Sequence, residues 1–298
     1  MSADQTTLGI DVGGTSVKLA AIRDGNLLWT AKANYCKPTG AKLLEVVREV
    51  TAGRAQDLAG VGLCVPGLLD ERRERVTFSA NVPGLHDIRL EELAIAAAGQ
   101  RPATIRIVND ALASAWDIYT VGKFGGRLLV LALGTGVGAA VLDDGVPLRV
   151  DGDSPGHIGQ IDVSLADEPI IGPDGGAGGL EGYIGASAMR QRYGSGATPT
   201  RLGIDDPPIR ALVRAVRICH ALYRPHHIVL AGGIGIRLGH LTEEIRAAVS
   251  EHLTRIARPE WTLSAAEHDH HAAAGAARLA NEKCQMKNEK WRGGAGRE

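Results

Sequence analysis

No run of about 18 apolar residues occurs in this chain, which argues against a membrane-spanning helix. The N-terminus has no basic region followed by an apolar stretch, so no secretory signal is read there. Formal net charge is −1 over 298 residues, and a chain so nearly neutral offers no global field for nucleic acid or a membrane surface. The expected setting is soluble and cytoplasmic. Cys36, Cys64, Cys219 and Cys284 are widely scattered. With no C-x-x-C or other ligand spacing, they read as reduced, mostly buried thiols. The string G-x-x-x-x-G-K-[ST] is also missing, which excludes the usual P-loop.

What the chain does have is glycine in meaningful places. Leu8 to Ile22 reads L-G-I-D-V-G-G-T-S-V-K-L-A-A-I, an apolar run ending at Asp11, a Gly13-Gly14 pair, then Thr15 and a second apolar run. This predicts a β-hairpin whose glycines let backbone N–H groups approach a phosphate. Asp11, beside the turn, is placed to hold a phosphate-associated Mg²⁺ through water. A plain D-G-G hairpin is the alternative, and a second copy argues against it. Leu128 to Asp143 reads L-L-V-L-A-L-G-T-G-V-G-A-A-V-L-D, again strand, glycine turn with Thr135, and strand. Two such hairpins roughly 120 residues apart predict a duplicated unit. A nucleotide would then lie between two lobes. Gly134, Gly136 and Gly138 mimic part of G-x-G-x-x-G, but a strand follows where a dinucleotide-binding turn needs a helix.

With 44% hydrophobic residues the chain can bury a large core, and its length suggests about two domains. Asn26 to Ala33 reads as a third strand, Ala41 to about Arg54 as an amphipathic helix, and Gly60 to Val65 as a short strand ending in Pro66-Gly67. This order matches the ribonuclease-H-like half of actin-type folds. Thr77 to Leu85 contains the turn Asn81-Val82-Pro83-Gly84, where Asn81 reads as an Asx-turn residue or a ligand. Helix Arg89 to Ala98 and strand Ile105 to Val108 follow. Asn109 and Asp110 then precede a helix: they are either an ordinary N-cap or groups meeting substrate at the carboxyl end of a strand. Phosphoryl transfer to an alcohol needs a base in such a place.

Asp151 to Gly179 is an irregular Gly-, Pro- and Asp-rich segment, long for a plain connection. Leu180 to Tyr193 is expected as one helix with Glu181 in its first turn, where an acid also suits the helix dipole. Helix Pro207 to Tyr223 and strand His227 to Ala231 lead to Gly232-Gly233-Ile234-Gly235. That turn can admit adenine or ribose, or be a plain βα loop. A helix from about Leu238 to Leu253 comes next. His268 to His271 is expected as a solvated loop end, not a metal site. Ala272 to Ala280 forms a small-residue helix, and the last residues form a disordered tail.

Taken together these stretches resemble the ROK family (repressors, open reading frames and sugar kinases), from Leu8 to about Ala280. The phosphate-1 motif resembles Asp11-Val12-Gly13-Gly14-Thr15, phosphate-2 resembles Gly134-Thr135-Gly136-Val137-Gly138, and the adenosine motif resembles Gly232-Gly233-Ile234. Val65-Pro66-Gly67, the Asn81 turn and Asn109-Asp110 also resemble family signatures. The resemblance implies an α/β, two-lobed actin-like ATPase fold with its site in the interlobe cleft. Residues 1–111 with helix 272–284 would form the small lobe, 112–271 the large lobe, and 285–298 the tail. It implies ATP-dependent phosphorylation of a monosaccharide or cyclic polyol, with Mg²⁺. Asp110 would be the catalytic base. The ATP site would comprise the three glycine motifs with Lys18, and the substrate site Gly67, Asn81, Asn109, Asp110, His157, Gln160 and Glu181. A homodimer is expected, and no nucleic acid: the short lead before Asp11 points to the kinase branch. A catalytically silent sugar sensor is the alternative, and within kinases a glucokinase, though retention of Asp11, both turns and Asp110 favours an enzyme.

The chain departs from the family at one place. Where the family reads G-E-x-G-H, this chain has Gly156-His157-Ile158-Gly159-Gln160; where the family follows with C-x-C-G-x-x-G-C-L-E, it has Gly172 to Glu181 without a cysteine. The four zinc positions are thus Gln160, Gly172, Asp174 and Gly179. No structural zinc is expected, and His157 with Gln160 should shift the preferred substrate away from glucose.

Overall fold

The computed structural model describes residues 6–54, 58–79, 82–150, 154–173, 175–194 and 198–281. Asn81, Asp174, Cys284 and the expected tail lie outside these residues. The first hairpin forms as the glycine turn predicts: β1 (Thr6–Val12) pairs antiparallel with β2 (Ser16–Arg23), Ile10 opposite Leu19 and Val12 opposite Val17. Asp24 and Gly25 take positive φ to turn the chain into β3 (Asn26–Asn34). α1 (Gly40–Thr51), N-capped by the Thr39 side chain, then carries it across to β4 (Leu58–Cys64), parallel to β1. The small pair β5 (Leu68–Leu69) and β6 (Val76–Phe78), a 3-10 turn at Pro83–Asp87 and α2 (Leu90–Ala98) lead to β7 (Thr104–Val108). The sheet order is β3-β2-β1-β4-β7.

The same plan repeats. After α3 (Asp110–Gly122) come β8 (Arg127–Leu133), β9 (Val137–Asp143) and β10 (Val146–Pro147), then the irregular segment, α4 (Leu180–Ile184), α5 (Ala186–Tyr193) and α6 (Pro207–Tyr223). β11 (His227–Ala231), α7 (Gly232–Gly235), α8 (Thr242–Glu251), β12 (Thr262–Ala265) and α9 (His271–Ala280) complete it. The second sheet runs β10-β9-β8-β11-β12. In each sheet an antiparallel meander is followed by two parallel strands, as expected for a duplicated actin-like unit. The chain thus forms two lobes of one topology.

Both faces of the sheets are covered, so apolar residues occupy both phases of the strand repeat. In β8, Leu129, Leu131 and Leu133 enter one core while Leu128 and Val130 enter another. This second core joins the lobes, since it gathers Cys64 and Val108 of the first sheet, Leu128 and Val130 of the second, and residues of α3 and α9. The small-residue composition of α9 allows its position. A Cβ on Gly9 would come within 1.7 Å of the Ala273 carbonyl oxygen, and one on Gly62 within 2.1 Å of that of Ala276. Glycine in the strands and alanine in the helix bring the two backbones into contact.

Several expectations change. Leu180 to Tyr193 is two helices, because the chain breaks at Gly185 (φ −62°, ψ 154°) where it passes 3.4 Å from the Thr135 carbonyl oxygen, measured from the position of a Cβ. The glycine stretch after β11 is itself a helical turn, a 3-10 segment occupies Ile236–Leu241, and α8 starts only at Thr242. Strand β12 has no counterpart in the sequence reading, being four residues long with only Leu263 buried. Of the described cysteines, Cys64 and Cys219 are buried but Cys36 is exposed.

The histidine cluster is not a solvated loop end. His271 is buried, its Nδ1 lies 2.7 Å from Asp117 Oδ2, and His268 stacks on it at 3.9 Å. Arg278 donates to the other Asp117 oxygen at 2.6 Å and to the Gly25 carbonyl. Burial works against the Asp117 charge, but the hydrogen bonds from His271 and Arg278 outweigh it and hold the carboxyl below the usual range. The cluster is a polar clasp between α3 and α9. Among the described residues no group of three or more His, Cys, Asp or Glu is arranged to hold a metal.

Candidate active site

The carboxyl ends of parallel strands are where open α/β sheets bind ligands, and in this chain those ends carry the predicted residues. Asp11 is the penultimate residue of β1, and Asn109 with Asp110 follows β7, separated from β1 by β4 alone. The first turn is held rigidly: Gly13 N–H donates to the Ser16 carbonyl at 2.9 Å, Tyr35 Oη donates to the Gly13 carbonyl at 2.6 Å, and Tyr35 N–H to that of Thr15. Tyr35 was not legible as a site residue, since it follows β3 far along the chain. Thr15 is exposed at the tip.

Asp11 is 9% exposed, and burial pushes its carboxyl up to about 6; Lys18 lowers it and Asp110 adds to the rise. Lys18 Nζ lies 3.6 Å from Asp11 and 3.8 Å from Asp269, which Lys32 approaches at 3.0 Å. Asp269 therefore belongs to the site's charge balance, a residue without any motif to announce it. Burial works against its ionisation, but the hydrogen bond from Lys32 and the charge of Lys18 hold its carboxyl low. A buried carboxylate with so few donors suits a hydrated cation, so Asp11 fits the Mg²⁺ role on its donor chemistry.

Asp110 opens α3 and is reachable by solvent, yet the surrounding protein raises its carboxyl. Its Oδ1 accepts from the Ala111 N–H at 2.8 Å, which with Lys18 opposes that rise. Asn109 caps the helix by accepting the Leu112 N–H at 3.1 Å. The cap uses only its oxygen, leaving its amide group out of the helix end. A Cβ on Gly138 would lie 3.4 Å from that of Ala111, so the second glycine turn abuts the N-terminus of α3. Asp110, next to Ala111 and near enough to Asp11 for its charge to raise that carboxyl, therefore lies close to both glycine hairpins.

The second turn also receives the irregular segment. Glu181 Oε2 accepts the Val137 N–H at 2.9 Å, and a Cβ on Gly159 would touch the Val137 carbonyl oxygen at 2.7 Å. Ala186 N–H donates to the Gly134 carbonyl at 3.0 Å. His157 and Gln160 flank Gly159 and are exposed, so their turn borders Glu181. Glu181 thus supports the glycine turn, a task its sequence position did not reveal. Nothing lies within 4 Å of a Cβ on Gly134, which leaves open space above the turn, with Thr135 and Gly136 beside it.

Gly232, at φ +76°, is pressed against the end of β8: a Cβ there would lie 2.5 Å from the Leu133 carbonyl oxygen. The third motif is therefore adjacent to the second. The side chain of Ile234 is buried in the large core, so only its backbone can face a nucleotide. Arg237 donates to the Gly233 carbonyl at 2.7 Å. Gly67, at φ +108°, abuts the Phe78 carbonyl oxygen across the small hairpin.

Comparison with known proteins finds relatives that match nearly the whole chain. The N-acetyl-D-glucosamine kinase of Erwinia tasmaniensis is 28% identical over 91% of this chain and 98% of its own length. The N-acetylmannosamine kinase of Salmonella typhimurium (strain LT2) is 28% identical over 92% of this chain and 98% of its own. The crystal structure of a ROK family glucokinase from Streptomyces griseus, in complex with glucose and AMPPNP, superposes with a TM-score of 0.70 at 22% identity, over 92% of this chain and 99% of that one. Residues 7–283 match the ROK family as a whole, and the chain belongs to it.

Proposed function

We propose that this protein transfers the γ-phosphoryl group of ATP to a hydroxyl of a monosaccharide or sugar-like polyol. The observation that carries this reading is Asp110, a carboxylate with raised pKa that acts on Asp11 of the first hairpin and opens the helix packed on Gly138 of the second. Asp110 accepts the proton of the substrate hydroxyl as its oxygen attacks the γ-phosphorus, and ADP leaves with the electron pair of the broken P–O bond. Backbone N–H groups of the turns at Gly13-Gly14 and Gly134–Gly138 hold the phosphates, and Gly232-Gly233 borders the nucleoside. Asp11 would hold Mg²⁺, which would neutralise charge on the phosphates. Lys18, between Asp11 and Asp269, keeps this acidic corner ionised. Asn109 and Glu181 stand at the substrate, with Gly67 and Asn81 proposed beside them on the family pattern alone.

The substrate is a modified sugar in preference to glucose. His157 and Gln160 border Glu181 through Gly159, and they replace an acceptor-only carboxylate and a metal-bound ring by groups that donate as well as accept. An acylamino group, which also does both, fits that end. Relatives named for N-acetylated hexosamines support the choice.

ATP consumption measured with N-acetylglucosamine, N-acetylmannosamine, glucose, ketoses and cyclitols tests it. We expect an N-acetylated or otherwise modified sugar to exceed glucose in kcat/KM; glucose as the best substrate would overturn the assignment. Asp110→Asn should lower kcat on the order of 10²-fold or more. Sugar binding without turnover in the unmodified protein would establish a sensor instead.

A further inference from the structure

The second sheet carries another concave site, at its end away from the glycine turns. α6 ends at Tyr223 just before β11 begins, and α8 ends at Glu251 ahead of β12. Their connections meet where the parallel strands start, whereas Gly232 follows the strand end. The length of β11 separates the two places by roughly 15 Å.

Between α6 and the segment after α8 lies a cleft of about 450 Å³, a volume typical of small-molecule sites. Arg214, Arg217, Arg224 and His252 line it, and no Asp or Glu does. Among the described residues none of these arginine side chains is in an ion pair or hydrogen bond. Asp162, which is not in the lining, feels the charge of Arg214. Arg258, donating to the Arg224 carbonyl at 3.3 Å, adds a further cation. Apolar side chains, Ile218, Leu253, Ile256 and Ala257 among them, form much of the remaining wall, with Thr254 beside them.

His220 also lines this cleft and is 1% exposed, and neither ring nitrogen has a hydrogen-bond partner. Its ring packs edge-on against Trp261 at 4.4 Å. Burial and the Arg258 charge push it down to about 4, so it is a neutral imidazole at physiological pH. Buried polar atoms are nearly always paired, and leaving them unpaired is costly. Two orphan nitrogens in a cation-rimmed cleft therefore call for an occupant that brings both negative charge and a polar group.

We infer that this cleft binds a phosphate monoester, with the guanidinium groups of Arg214 and Arg217 on the phosphoryl oxygens and His220 on a polar atom of the organic part. Planar guanidinium forks match phosphate oxygens in pairs. A second copy of the chain is disfavoured as occupant, because a twofold contact would set this cationic rim against itself. Sugar phosphates and nucleoside monophosphates share the required chemistry. The site is independent of the substrate assignment.

Calorimetric titration of the full protein with glucose 6-phosphate and, separately, AMP tests the inference, with AMPPNP kept saturating so that the nucleotide site is filled. We expect one saturable site for at least one of the two, the stronger binder identifying the source. Arg214→Gln with Arg217→Gln should weaken it at least tenfold while leaving kcat unchanged, and both residues are exposed, so folding is not at stake. His220→Phe, which keeps the ring packing on Trp261, should weaken it severalfold. Absence of saturable binding by both probes, or binding unaffected by the double arginine change, would overturn the inference.

Discussion

At the scale of single residues, function and stability oppose each other at Asp11. Its carboxyl titrates at about 6 in the fold against 3.8 as a free group, so the folded state holds its proton more tightly than the unfolded chain. The stabilising effect of that proton is complete below the unfolded value and is lost as pH rises through about 6. Asp11→Asn carries no charge to bury. Its Tm should exceed that of the unmodified protein at pH 8, and the difference should shrink towards zero by pH 4; a difference independent of pH would contradict the assignment of the strain to this charge. Activity should fall sharply in the same variant, because the amide no longer attracts a hydrated cation. Asp11, Asp110 and the three glycine motifs were legible in the sequence because each is a local string on a strand end. Tyr35 and Asp269 were not, because each reaches the site from a distant segment and carries no motif of its own.

At the scale of elements, the position of α9 depends on missing side chains. Gly9, Gly62 and Gly275 each face a backbone carbonyl at a distance that no Cβ can occupy, 2.1 Å at Gly62 and 1.8 Å at Gly275. Because the obstacle is backbone, a substitution must push the helix off the sheet. Gly62→Ala should destabilise the fold by about 2–3 kcal/mol in urea titration, at the upper end of overpacking costs. An unchanged midpoint would show that α9 is less firmly seated than described. The hairpins, the meander and α6 were readable from alternation and periodicity because their patterns are long and uniform. The break at Gly185 and the helical turn at Gly232–Gly235 were not, since tertiary contacts with the Thr135 turn and with β8 decide them. Likewise His271 looked like a surface residue until Asp117, more than 150 positions earlier, supplied a partner.

At the scale of the whole molecule, the irregular segment is laced by backbone bridges and hydrogen bonds. Gln160, Gly172 and Gly179 leave no thiolate or imidazole at three of the corresponding positions, so the donors do not fit a structural zinc. A backbone ladder occupies the segment. Asp162 bridges Gly179, Ile171 bridges Ala177, Gly178 N–H donates to the Ile170 carbonyl at 2.9 Å, and Gly172 N–H to that of Gly176 at 2.7 Å. Asp162 Oδ1 in turn accepts the Ser164 N–H at 2.8 Å. Gly178 takes φ +68°, and a Cβ there would lie 2.0 Å from Ser164 Oγ. If the ladder supports the loop, chelation should leave Tm unchanged and elemental analysis should find no stoichiometric zinc. Gly178→Ala should instead lower stability by about 1–3 kcal/mol, since both the positive φ and the crowding oppose it. One tightly held zinc per chain, with unfolding on chelation, would mean that the metal and not the ladder holds this segment beside Glu181.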